Sequence, residues 1–93
     1  MGKSIINSEK KCLVCGAILN IHKHHVFMGN AYRTKSEEYG CWCYLCYNHH
    51  NGSSDGVHFN KNLDLKLKRL AQERFESLHP EKDFIKIFGR NYK

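Results

Sequence analysis

The chain has 93 residues, enough for one small domain with a limited core. Its 41% hydrophobic and 12% aromatic content excludes a disordered chain. Lys and Arg outnumber Asp and Glu by 15 to 9, for a net charge of +6 and a pI near 9.2. That balance favours a polyanionic partner, nucleic acid above all.

In chain order, residues 1–11 are polar and expected to fray, apart from Ile5 and Ile6. They contain no apolar run of signal-peptide length, and no stretch anywhere is long enough to span a membrane. Cys12-Leu-Val-Cys15-Gly16 reads as two thiolates around a tight turn, a knuckle with the C-x-x-C spacing of a zinc site. Residues 17–21 and 24–28 are strand candidates. Residues 29–40 show neither strand nor helix period and read as a long hairpin loop that includes at most a helical turn. Residues 41–46, Cys-Trp-Cys-Tyr-Leu-Cys, carry the strongest strand signal. Alternation puts Cys41, Cys43 and Leu45 on one face and Trp42, Tyr44 and Cys46 on the other.

A helical turn is expected from His49, then a loop through Asn51 to Gly56. Leu63, Leu67, Leu70, Ala71, Phe75 and Leu78 recur at helical spacing, with Asn62 as the N-cap and Pro80 as the stop. Phe84 to Phe88 reads as a last short helix ended by Gly89.

Five cysteines in a chain with no export signal point to metal ligation rather than disulfides, and to a reducing, cytoplasmic setting. C-x-x-C at Cys12 and Cys15 and C-x-x-H at Cys46 and His49 together supply four ligands of a closed structural Zn2+ site. Cys41 and Cys43 are then core thiols, behaving as small hydrophobes. A second, thiol-free set comprises His24, His25, His50 and His58, which suits a harder, open ion. Neighbours on a strand face opposite ways, so only one of His24 and His25 can join that set while the other is free to activate water. This is the layout of a small metal-dependent nuclease. A second structural zinc on His22, His24, His50 and a spare cysteine is the competing assignment.

The blocks His24-His-Val-Phe-Met-Gly29, Arg33, Ser36-Glu-x-Tyr-Gly40, Leu45-Cys-x-x-His-His50, Gly56-Val-His58 and Leu63-Asp-Leu-Lys-x-x-x-x-Ala-Gln72 resemble phage-encoded HNH endonucleases. The similarity is nearest to the recombination-enhancement RecA-dependent nuclease group. It implies an α+β chain with the small ββα-metal (His-Me finger) fold, a zinc knuckle and C-terminal helices. Residues 1–93 then form one nuclease domain, with knuckle and core in 12–58 and a helical extension in 59–93. By the same resemblance His25 is the general base, and His24 and His50 hold a divalent ion such as Mg2+, Mn2+, Ni2+ or Zn2+. His58 is a third ligand, a phosphate contact or a cap of the long helix.

The Asn that orients the base in this family has no counterpart within residues 40–47. Asn30 or a backbone carbonyl is left to take its place. Arg33, Lys35, Lys61, Lys66 and Arg69 are the candidate contacts to DNA, double- or single-stranded, with little sequence specificity. Lys68 flanks the site with them. A recombination or phage protein is a candidate partner, in a bacterial cytoplasm. The alternative to a nuclease is a catalytically silent zinc-binding nucleic-acid module or phage adaptor of the same fold. An inhibitor of a host protein is a third.

Overall fold

A computed structural model describes residues 4–7, 9–52 and 56–93, with the Asn30 side chain left out. The order is β1 (Ile21–His25), α1 (Asn30–Tyr39), β2 (Trp42–Cys46), α2 (Tyr47–Asn51), α3 (Lys61–Leu78) and α4 (Phe84–Phe88). The molecule is a small α+β structure whose two strands pair antiparallel. The register sets Ile21 against Cys46, His22 against Leu45, His24 against Cys43 and His25 against Trp42.

Both expected strands before residue 29 are displaced. Residues 17–20 are irregular, and the strand runs over Ile21–His25 instead. Val26 and Phe27 leave the sheet and plug the core, exposed by only 1% and 3%. Phe27 packs on Phe84 and Phe88 at ring-centroid distances of 5.4 and 4.5 Å. These apolar residues therefore serve helix packing rather than strand pairing.

Residues 30–39 form the ten-residue helix α1, not a hairpin loop. Its buried face is carried by Ser36 rather than by an aliphatic stripe, which hides the helical period. Ser36 Oγ accepts from the Phe27 N–H at 3.2 Å and donates to the Phe27 carbonyl at 3.0 Å. Gly40 ends the helix with φ +74°, a left-handed position that glycine fills without steric cost, and returns its N–H to the Ser36 carbonyl.

Residues 4–7 and Leu13 lie along the outer edge of β2, so these described residues are held where fraying was expected over 1–11; residues 1–3 and 8 lie outside the described residues. Ile5 N–H donates to the Gly40 carbonyl at 2.9 Å and Ser4 Oγ donates to the Trp42 carbonyl. Tyr44 N–H donates to Asn7 Oδ1 at 3.1 Å, and Leu13 N–H to the Tyr44 carbonyl at 2.9 Å. Covering an edge in this way removes a row of unpaired backbone groups. Both faces of β2 are buried, at Trp42, Cys43, Leu45 and Cys46, as is Cys41 just before it, and Tyr44 is half-exposed.

Helix α3 begins two residues earlier than expected. Asn60, not Asn62, is the N-cap, and its side chain accepts from the Leu63 N–H at 3.1 Å. Leu67, Ala71 and Phe75 are buried as the period predicts, but Leu78 in the last turn is 58% exposed. Gln72 on the same face is buried and holds the C-terminal residues. Its Oε1 accepts from Tyr92 N–H at 2.7 Å, and its Nε2 donates to Asn91 Oδ1 at 2.9 Å.

Candidate metal centres

The first candidate centre sits where the knuckle meets the end of β2. Cys46 is the last residue of β2 and the N-cap of α2, so Cys46 and His49 share one turn. The knuckle closes through Gly16 N–H to the Cys12 carbonyl at 2.9 Å, with Gly16 at φ +78°. Cys12 Sγ lies 3.6 Å from His49 Nδ1, Cys46 Sγ 3.3 Å from that atom, and Cys15 Sγ 3.8 Å from Cys46 Sγ. A tetrahedral zinc separates two sulfurs by about 3.8 Å, and a sulfur and a nitrogen by about 3.5 Å. The four side chains match those edges and could hold a metal ion such as zinc.

Burial works against ionisation of Cys12, but N–H groups of Cys46, Cys15 and Val14 outweigh it and hold the thiol down at about 6. At Cys15 the Ala17 N–H favours the thiolate, yet desolvation and the neighbouring Cys12 and Cys46 push the thiol up. Cys12 is therefore held toward the thiolate form a metal needs. Cys41 and Cys43 stand apart from this set. Both are fully buried, and burial pushes each thiol up to about 12.

The second cluster lies on the His24 face of β1. One ring nitrogen each from His24, His50 and His58 falls within 4.8 Å of the others. His50 Nε2 and His58 Nε2 are 3.2 Å apart, close to the separation of about 3.0–3.4 Å imposed by one shared ion. His24 is 3% exposed, and its Nε2 is buried with no hydrogen-bond partner. Burial, and then the neighbouring His50 and His58, push the His24 imidazole down to about 3, so it stays neutral with a lone pair to give. An unsatisfied buried nitrogen costs about 1–3 kcal/mol, a cost that a coordinated ion removes. Val57 N–H donates to the His49 carbonyl at 2.7 Å, and this bond carries the exposed His58 back to α2.

His25 does not join the trio and shares a cleft with Arg33, Glu37 and Glu38. A second, adjoining cleft is lined by His24, His25, Gly29, Arg33, His50 and His58. His25 Nε2 lies 3.7 Å from Glu37 Oε1. Burial lowers the His25 pKa, and Glu37 partly offsets it. Glu37 is held in turn by Lys23 Nζ, at 2.7 and 2.6 Å from its two oxygens, and Lys23 sits 4.1 Å over the Trp42 ring.

Glu37 escaped the sequence reading because its helix did. Lys23 and His25 stand two apart on β1, and only α1 brings a carboxylate across both. The Asn30 side chain lies outside the described residues, while the backbone of Asn30 opens α1.

The candidate DNA contacts divide. Arg33 is exposed beside His25, and Lys61 lines a depression with His58, Asp64 and Lys68. Lys66 is exposed on α3. Lys35 donates to the Ile87 carbonyl at 3.0 Å, and Arg69 Nε donates to the Tyr92 carbonyl at 3.2 Å. Comparison with protein-family models, with curated proteins and with solved structures gives no match. No helix among the described residues is long and apolar enough to cross a membrane.

Proposed function

We propose that this chain is a metal-dependent DNA endonuclease of the ββα-metal, or His-Me finger, type. In this reading β1, β2 and α2 form the nuclease core, and Cys12, Cys15, Cys46 and His49 hold a structural zinc. The observation that carries the reading is His24, whose buried and unpartnered Nε2 belongs to a ring packed 5.3 and 5.4 Å from those of His50 and His58. A core histidine without function finds a hydrogen-bond partner when buried. This one stands among two other imidazoles beside an open cleft.

The division of labour follows from strand geometry. His24, His50 and His58 are the ligands, and the chemistry a bound divalent ion supplies there is charge stabilisation on the scissile phosphate and the leaving oxygen. His25, which lines the cleft of the trio as well as the adjoining one, takes the proton from the attacking water, and its lowered pKa favours the neutral ring. Glu37 lies at His25 Nε2 and holds the imidazole in orientation, a role the family gives to Asn. Arg33 flanks both clefts and binds the phosphate backbone.

The test is conversion of supercoiled plasmid to nicked or linear DNA with Mg2+, Mn2+, Ni2+ or EDTA, alongside His24→Ala. The reading requires ion-dependent conversion that the variant loses. Absence of cleavage with every ion, on single-stranded and branched DNA as well, refutes it in favour of a silent nucleic-acid-binding module.

A further inference from the structure

His22 shares a strand face with His24 yet does not join the ligand trio. Its Nδ1 lies 2.9 Å from His50 Nδ1, while the other nitrogen of His50 faces His58 Nε2 at 3.2 Å. The two ring nitrogens of His50 thus have separate jobs. An imidazole that coordinates through Nε2 carries its proton on Nδ1, and that N–H needs an acceptor to fix the tautomer and the ring plane. His22 Nδ1 is an acceptor at hydrogen-bond distance when His22 keeps its own proton on Nε2.

We propose that His22 is a positioning residue of the histidine metal centre, accepting the Nδ1–H of His50 and so committing His50 Nε2 to the ion. The proposal rests on the reading of His24, His50 and His58 as metal ligands. The fold supplies the geometry. β1 places His22 opposite Leu45, the residue just before the Cys46 cap of α2, and α2 returns His50 over that face. The His22 ring is flanked edge-on by Tyr47 as well as by His50, with centroids at 6.0 and 5.1 Å, which limits its rotation. A rival for the same role is the Asn51 amide, which reaches His50 Nδ1 at 3.2 Å and accepts from it when turned to present its oxygen.

The test uses the full chain with the cysteine centre loaded with zinc. Co2+ is titrated into wild type, His22→Phe, His22→Gln and Asn51→Ala, and the histidine tautomers are read by 15N NMR before Co2+ is added. The expected result is one Co2+ equivalent in wild type, the second ion on the chain, bound about 10–100-fold more weakly by His22→Phe. His22→Gln, which retains an acceptor, recovers part of that affinity. His50 carries its proton on Nδ1 in wild type and becomes a tautomer mixture in His22→Phe, with zinc content unchanged in every variant.

Equal Co2+ affinity and an unchanged His50 tautomer in His22→Phe overturn the role of His22 alone. Loss confined to Asn51→Ala transfers the role to that amide and likewise overturns the proposal. A wild-type protein that accepts no second ion overturns the metal reading beneath it.

Discussion

Without an ion in the cysteine centre this protein should be markedly less stable than with zinc bound there, and the size of the effect follows from the topology. The centre ties Cys12 and Cys15 to Cys46 and His49 across the chain. A cross-link closing a loop of about 35 residues restricts the unfolded chain by about 4 kcal/mol. Total stability for a domain of this length is about 5–14 kcal/mol. Chelation, or Cys12→Ala, should therefore lower the melting temperature by roughly 15–30 °C.

The assay is thermal unfolding followed by circular dichroism, with zinc measured on the same samples. Cys43→Ala provides the contrast: it should keep a full equivalent of zinc and lose only about 1 kcal/mol, because that thiol packs as an apolar group. A zinc-free protein melting within a few degrees of the loaded one would refute the argument. So would Cys12→Ala retaining its zinc.

Four further outcomes are expected. Ser36→Ala strands the Phe27 N–H and carbonyl inside the core and should cost about 1–3 kcal/mol by urea unfolding, without changing metal content. Glu37→Gln removes the charge facing His25 and should lower kcat in single-turnover cleavage while leaving DNA affinity near that of wild type. Cleavage should rise with pH and level off, since the base acts when neutral. Its midpoint belongs below the ordinary histidine value of 6.5, because burial favours the neutral ring, and a midpoint above that value contradicts the assignment. Arg33→Ala should weaken DNA binding uniformly across sequences and reduce the salt slope by about 1, as measured by fluorescence anisotropy over a salt series.

The cysteine cluster was legible because ligand pairs at i and i+3 are local signals, and two such pairs fix one site wherever the chain goes between them. The amphipathic stripe of α3 was legible for a similar reason, its aliphatic residues repeating on one face from Leu63 to Phe75. Alternation likewise sorted Cys41, Cys43 and Leu45 onto the fully buried face of β2. Helix α1 was hidden. Its buried contact is a serine hydroxyl, a polar group that no hydrophobic period registers.

With α1 lost from view, Glu37 could not be paired with His25, nor Lys35 with the carbonyl of Ile87. The strand boundary at His25 was missed because Val26 and Phe27 look like strand residues, and only the aromatic cluster with Phe84 and Phe88 draws them elsewhere. The edge covering by residues 4–7 uses one backbone bond from Ile5 and side-chain bonds from Ser4 and Asn7, short polar residues that carry no periodic signal. It leaves no mark in side-chain pattern beyond Ile5 and Ile6.

In the proposed nuclease, adjacent histidines on one strand divide ligation from proton transfer. The most direct measurement compares wild type with His25→Ala in plasmid nicking, at equal zinc content and with the second ion at saturation. The variant should fold, keep both ions and lose cleavage. Cleavage by His25→Ala at the wild-type rate would contradict that division.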